Sequence, residues 1–177
     1  MRFLVFIRYF IEFFLYKIVF VILNLFSKKF SKNIFSYSFM LLGKLSKYNK
    51  IAKNNCKIVF SDFSDKEITK IINNSWKNLG KNLYELNNLK KLIDDKNAIK
   101  ILGLEKLKKV KKENSPVIFF SIHSGNWEIC VPILDKYGLN IGAIYRHINN
   151  SFFDRYIFKK RTDALKTKNS FYTPKGK

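Results

Sequence analysis

Apolar residues dominate the start of the chain in a pattern that favours a hydrophobic helix. Residues 3–26 are mostly Phe, Leu, Ile, Val and Tyr, with polar interruptions at Arg8, Glu12, Lys17 and Asn24. Arg8 and Glu12 stand four residues apart, so on a helix they share a face and can pair. The uninterrupted apolar stretch is shorter than the roughly 20 residues of a clean membrane-spanning helix. We therefore predict that residues 1–30 form a membrane-anchor helix, embedded in or lying on a membrane; the alternative is a buried helix of a larger assembly.

Helical spacing of apolar residues continues through the next sixty positions. Residues 34–52 combine this spacing with several lysines, which predicts an amphipathic basic helix and a second membrane-surface element. Ser64 followed by Glu67 has the pattern of a capping box. After it, apolar residues recur every three or four positions to about Leu89, which predicts a long amphipathic helix. Gly80 lies inside that helix, where we expect it to allow close packing.

Strand-length apolar runs alternate with helical segments in the second half of the chain. The strand candidates are residues 117–122, residues 139–145 and a segment that begins at residue 171. The helix candidates are residues 104–112, 127–137 and 151–166. The run at 117–122 has the character of a strand buried on both faces. This alternation predicts an α/β fold over residues 31–177, with helices packed on a mostly parallel sheet.

Composition and charge bear mainly on the choice of partner. The chain has 177 residues, of which 47% are hydrophobic, enough for the core of one domain. Its formal net charge of +21 favours an anionic partner, although AT-rich codons would also enrich lysine. We expect no nucleic-acid binding, because the aromatic residues lie in the anchor and the strands rather than among lysines. Cys56 and Cys130 stand far apart without a CxxC motif, so we expect neither a disulfide framework nor a metal site.

A histidine and a glutamate stand close together after the apolar run at 117–122. His123 is followed by Gly125, Asn126 and Glu128. On a continuous helix, residues five apart do not face each other. For the two side chains to act together, His123 must lie in a turn and Glu128 in the first turn of the following helix. Gly125 would supply the turn and Asn126 the N-cap. In that layout His123 serves as a general base oriented by Glu128; the alternative is a packed or surface histidine with an incidental acid.

The segment from His123 to Glu128 resembles the HxxxxD/E signature of glycerolipid acyltransferases. Its Gly-Asn-Trp-Glu portion looks like the late acyltransferases of lipid A biosynthesis, the lauroyl and myristoyl transferases. Further positions resemble that family's "YR…N…D…R" block, namely Tyr145, Arg146, Asn149 or Asn150, Asp154 and Arg161, and the start of its next block, Pro174-Lys175-Gly176. The resemblance covers nearly the whole chain.

The resemblance implies transfer of a fatty acyl group from acyl carrier protein to a hydroxyl of a lipid A precursor, a step of lipopolysaccharide biosynthesis. His123 and Glu128 would be catalytic, and no cofactor or metal would be required. Substrate contacts would come from Arg146 first, then Arg161, Gly125 and Asn126, since a guanidinium suits the phosphates of a phosphorylated glycolipid. The enzyme would sit at the inner (cytoplasmic) membrane with its catalytic part on the cytoplasmic face, where the lysines after the anchor would hold it.

Proteins of that family are longer than this chain, so the resemblance predicts that the chain corresponds to their N-terminal portion. Two alternative functions follow. One is an inactive truncated remnant of such an enzyme. The other is an acyltransferase of the glycerol-phosphate type, against which the glutamate at position 128 argues, because those enzymes usually place aspartate there.

Overall fold

The computed structural model describes residues 2–175 of the chain. Three residues lie outside the described part: Met1, Gly176 and Lys177. Met1 belongs to the predicted segment 1–30, and the other two belong to the predicted segment 31–177. Gly176 is also the last residue of the predicted block at 174–176. The helices are α1 Arg2–Leu23, α2 Lys28–Leu45, α3 Lys47–Val59, α4 Asp65–Asn87, α5 Leu89–Asp94, α6 Leu104–Glu113, α7 Cys130–Lys136 and α8 Ser151–Asp163. A 3₁₀ turn, Trp127–Ile129, precedes α7, and the strands are β1 Gly142–Tyr145 and β2 Phe171–Pro174. The described residues are therefore mostly helical, with a small parallel sheet.

The chain divides into two compact units. One consists of residues 21–85, and the other joins residues 2–20 to residues 86–175.

The unit of residues 21–85 contains α2, α3 and most of α4. The predicted capping box at the start of α4 is confirmed, because Ser64 Oγ accepts from the Glu67 amide at 3.3 Å and Glu67 Oε2 accepts from the Ser64 amide at 2.8 Å. Gly80 makes the close approach that we expected, since a Cβ there would collide with the backbone carbonyl of Phe35. The rings of Phe35 and Tyr84, both buried, pack with centroids 5.7 Å apart.

The predicted single helix over residues 34–52 is wrong in its boundaries. Helix α2 begins earlier, at Lys28, where the Ser27 hydroxyl accepts from the Phe30 amide. It ends at Leu45, and the extended backbone of Ser46 (ψ 152°) separates α2 from α3. The Ser46 hydroxyl donates to the Gly43 carbonyl at 2.7 Å, a local bond that competes with continuation of the helix.

The second unit is built around a parallel β–α–β arrangement. Strands β1 and β2 pair in parallel, with Gly142 opposite Phe171 and Tyr145 opposite Pro174, and α8 connects them. The strand candidates at 139–145 and from 171 are thus confirmed, as are the predicted helices around 104–112, 127–137 and 151–166. The fold has the α/β character that the sequence predicts, on a smaller sheet.

The predicted buried strand at residues 117–122 is wrong for the structure as described. This segment has no strand conformation, and Ile118, Phe120 and Ile122 are all largely exposed. A strand exists only where its amide and carbonyl groups meet a neighbouring ladder. In the described part of the chain the ladder is formed by β1 and β2, and residues 117–122 do not join it.

Helix α1 confirms the predicted N-terminal helix, including the ion pair between Arg8 Nε and Glu12 Oε1 at 3.5 Å. Its role as a membrane anchor is not established by its length and composition. Among the helices of residues 2–175, none combines the length and the apolar character needed to cross a membrane.

Candidate functional site

Four of the residues predicted from the sequence line a single cleft beside the small sheet. The cleft has a volume of about 330 Å³ and is lined by His123, Glu128, Arg146 and Arg161, together with Trp127, Val131, Ala143, Ile144, Tyr145 and Tyr172. The predicted residues come from three separate parts of the unit: the turn before α7, the end of β1 and the last turns of α8. The fold therefore collects a base, a carboxylate and two guanidinium groups around one space.

The turn that carries His123 forms as the sequence predicts. Gly125 adopts a left-handed conformation (φ +56°), which glycine adopts without strain. Asn126 caps the following helical turn, because its side-chain oxygen accepts from the Glu128 amide at 3.2 Å. Gly125 and Asn126 thus join His123 to the wall of the cleft that contains Glu128.

Arg161 binds the carboxylate of Glu128 through two hydrogen bonds. Arg161 Nε donates to Glu128 Oε2 and Nη2 donates to Oε1, each at 2.7 Å. Both side chains are largely buried, at 17% exposure for Arg161 and 10% for Glu128. Burial alone would lower the pKa of Arg161, but the adjacent Glu128 carboxylate outweighs it and raises that pKa. The two hydrogen bonds therefore fix Arg161 and Glu128 against each other in the cleft wall.

His123 lies at the open side of the cleft. Its side chain is exposed, and its ring centroid is 5.1 Å from that of Trp127. Across residues 2–175, no hydrogen bond joins His123 to Glu128; the carboxylate is directed to Arg161 instead. The structure thus places His123 and Glu128 in the same cleft, and within residues 2–175 no hydrogen bond joins them.

Arg146 follows β1 and reaches the cleft from a loop that is held at both ends. Asp154 Oδ1 accepts from the Ile148 amide at 2.9 Å, and its Oδ2 lies 2.6 Å from His147 Nδ1. Asn150 caps α8 by accepting from two amides of its first turn. The "N" and "D" positions of the resembled block therefore fix the loop beside Arg146.

Other important residues were not found by reasoning from the sequence. Asp135 on α7 is almost fully buried and binds the loop before β2, accepting from Thr167 Oγ1 at 2.6 Å and from the Lys166 amide. Burial alone would raise the pKa of Asp135, but hydrogen bonds from Ser170, Thr167 and the backbone hold it below its ordinary value. The sequence does contain a signal for Asp135, because an acidic residue follows the apolar residues 131–134. Tyr172, whose pKa burial raises, lines the cleft from β2, and nothing in its neighbourhood in the sequence marks it.

A cleft that unites a histidine, a carboxylate and arginines beside parallel strands is typical of an enzyme that moves protons and binds anionic substrates. The family described as bacterial lipid A biosynthesis acyltransferase matches residues 2–167. This match covers most of the chain, so the chain belongs to that family. It is an acyltransferase of lipid A biosynthesis, a family whose members use an acyl donor and a lipid acceptor. Comparison with curated proteins and with solved structures gives no match.

Proposed function

We propose that this acyltransferase moves a fatty acyl group from acyl carrier protein to a hydroxyl of a lipid A precursor, with His123 as the general base. The observation that carries the proposal is the convergence of His123, Glu128, Arg146 and Arg161 on one cleft. These residues come from three separate parts of the chain, and each has the chemistry that such a transfer needs. Family membership sets the reaction class, and the cleft supplies the residues.

The histidine acts on the acceptor hydroxyl. A ring nitrogen of His123 takes the hydroxyl proton as the oxygen attacks the thioester carbonyl carbon. The tetrahedral intermediate then collapses, the carbon–sulfur bond breaks, and the leaving thiolate takes the proton from the imidazolium. The products are an ester and a free thiol, and no acyl-enzyme intermediate forms.

Glu128 supports the histidine after a change in the His123 side chain. Catalytic hydrogen bonds are often long or absent without substrate and form in the complex. His123 is exposed and follows an unpaired segment, so its ring has room to turn from Trp127 toward the carboxylate. Arg161 keeps that carboxylate in a single orientation, and Glu128 then fixes the histidine tautomer and stabilises the imidazolium.

Arg146 is the residue that we assign to the acceptor. Arg146 is exposed at the cleft, whereas the guanidinium of Arg161 is hydrogen-bonded to Glu128. A planar guanidinium binds a phosphate through two parallel hydrogen bonds. Arg146 therefore suits the phosphate of a phosphorylated glycolipid, while Gly125 and Asn126 shape the turn against which the acceptor lies.

Charge and exposed apolar surface support the proposed partners and location. The net charge of +21 suits both an acidic carrier protein and anionic lipid headgroups. Helix α1 exposes large apolar side chains along its length, among them Phe3, Leu4, Leu15 and Val21. Exposed apolar surface of this extent is expected to bind a partner or a membrane. We place the protein on the inner membrane with the cleft on the cytoplasmic side, where carrier protein is available.

The test is an acyl-transfer assay with acyl carrier protein thioester and a lipid A precursor in vesicles. His123→Ala is expected to abolish transfer and to leave vesicle binding intact. His147→Ala is the control, because it removes the other histidine of the chain. It is expected to retain most of the transfer, since Asp154 still accepts from the Ile148 amide and holds the loop beside Arg146.

Each other outcome has a definite meaning. Transfer that persists in His123→Ala would overturn the mechanism. Transfer to glycerol 3-phosphate in place of the lipid A precursor would favour the glycerol-phosphate type. No transfer by the wild-type chain would favour the inactive remnant.

A further inference from the structure

Helix α1 has a second face, which packs against α8. The ring of Phe13 lies 5.3 Å from that of Phe153 and 5.6 Å from that of Tyr156, both edge-on. It also lies 6.0 Å from the ring of Phe152. Aromatic pairs at these separations add orientation-dependent attraction to the burial of apolar area. The contact between α1 and α8 therefore has a defined ring geometry in addition to its buried apolar area.

A buried amide fixes the register of the two helices. Asn150, only 6% exposed, donates through Nδ2 to the Tyr9 carbonyl and to Glu12 Oε2, each at 3.0 Å. The same side chain accepts from the Phe152 and Phe153 amides and so caps α8. A slip of α1 along α8 would leave a buried polar group without a partner, which is costly.

A second polar contact joins the helices further along. Asn87 Oδ1 accepts from Tyr16 of α1 at 2.9 Å and from Tyr156 of α8 at 2.6 Å. Asn87 is itself buried. Helix α1 is therefore bound to α8 by polar contacts at two levels, with aromatic rings between them.

The far side of α8 faces the cleft. Phe158 packs on the ring of Tyr145 at 5.8 Å, and the Arg161 guanidinium lies at the same distance from that ring. Arg161 in turn holds Glu128 by two hydrogen bonds. Contacts therefore run without a break from α1 through α8 to the carboxylate of the cleft.

We propose that α1 is a positioning element of the active site: its packing on α8 sets the position of Arg161 and, through Arg161, the orientation of Glu128. Its effect on the reaction rests on the proposed function of Glu128. The placement of Arg161 does not, and it can be measured without any reaction. On this proposal, a generic hydrophobic helix in place of α1 would keep the protein on the membrane and still impair transfer.

Adjacent phenylalanines of α1 provide a matched pair of variants. Phe13 faces α8, whereas Phe14 is 52% exposed. Phe13→Ala and Phe14→Ala remove the same atoms from the same helix, so they differ mainly in the face that they alter. Asn150→Ser is a milder second variant, because serine keeps an N-cap oxygen and loses the amide that donates to α1.

The readout is hydrogen exchange at the Nε of Arg161 in the full chain in micelles. The chain has five arginines, so selective ¹⁵N labelling gives a simple spectrum, and Arg161→Lys identifies the signal. We expect its exchange to accelerate about tenfold or more in Phe13→Ala and in Asn150→Ser, because local opening exposes the bond to Glu128. We expect no change in Phe14→Ala. Equal exchange rates at Arg161 Nε in Phe13→Ala and Phe14→Ala, with helical content retained, would overturn the proposal.

Transfer rates on phosphatidylglycerol–phosphatidylethanolamine vesicles complete the test. Asn150→Ser is expected to lower kcat at saturating vesicles and to cause no further loss in an Arg161→Lys background. A full additional loss in that background would show that α1 acts through another route and would overturn the proposal. Persistent transfer in His123→Ala would refute the proposed function, whereas the exchange result would still decide the positioning by α1.

Discussion

Removal of the Arg161 guanidinium is expected to destabilise the second unit strongly. Arg161→Met keeps most of the side-chain length and deletes the two donors to Glu128. The carboxylate is then left largely buried with no counter-charge. Glu128→Gln is the complementary change, since it keeps the shape of the side chain and removes its charge from a buried guanidinium.

The magnitude follows from burial and geometry. Both hydrogen bonds are charge-assisted, 2.7 Å long and shielded from water. Breaking a buried ion pair from one side costs about 3–5 kcal/mol, mainly because the remaining charge stays buried. That is a large part of the roughly 5–15 kcal/mol that stabilises a typical domain. The double variant buries no orphaned charge, so we expect it to be no less stable than either single variant.

Urea unfolding in micelles, followed by far-UV circular dichroism, measures these differences. The wild type, the two single variants and the double variant form a double-mutant cycle. Its expected coupling energy is roughly 3 kcal/mol. Lys159 and Asp163 on the same helix provide the control, since they form an ion pair at 3.2 Å but are 74% and 45% exposed. Lys159→Met is expected to cost about 0.5 kcal/mol or less. Additive single effects, or an Arg161→Met cost equal to that of Lys159→Met, would refute this reasoning.

Two further predictions concern the packing of each unit. Burial would raise the pKa of Asp135 but its hydrogen bonds hold it low, so its stabilising contribution is complete above about pH 4 and is lost as the pH falls through the folded pKa. Asp135→Asn should therefore flatten the acid limb of a plot of urea midpoint against pH, and parallel limbs would contradict this. Gly80→Ala should lower the free energy of unfolding by about 1–3 kcal/mol, and with it the thermal midpoint, because the new Cβ collides with the Phe35 carbonyl. Alanine usually stabilises a helix relative to glycine, so a raised midpoint would contradict this prediction.

Features that depend on near neighbours in sequence could be predicted. The Ser64–Glu67 capping box, the Asn126 cap and the left-handed Gly125 all require residues within a few positions of one another. The two strands of the sheet were also placed correctly, since each is a short apolar run followed by polar residues. In these cases the local chemistry and the fold impose the same conformation.

The errors arose where the outcome depends on distant parts of the chain. The apolar run at 117–122 has strand-like composition, but composition supplies no neighbouring strand, and the run is unpaired. The break at Ser46 is a milder case. Serine is a common N-cap type, yet helical spacing continues on both sides of it, and the extended backbone at that residue could not be inferred from periodicity.

The candidate site shows the same division. The motif between His123 and Glu128 identified both residues, and the resembled block identified Arg146 and Arg161. Spacing could not show that Arg161 would bind Glu128, because the two are 33 residues apart and meet only when α8 packs beside the sheet. Substrate binding by Arg161 accordingly stays a prediction, and the contact that the structure describes is with the carboxylate.

The ion pair with Arg161 is compatible with a partnership between Glu128 and His123. An ionised carboxylate has about four lone-pair positions on its two oxygens. Arg161 takes one position on each oxygen, because Nε and Nη2 donate to different atoms. A position therefore remains on either oxygen for a ring N–H of His123, and the dyad can form without breaking the ion pair. In the mechanism that we propose, the carboxylate held by Arg161 is oriented before the histidine approaches it, so the reorganisation required at the moment of reaction would be confined to the exposed imidazole.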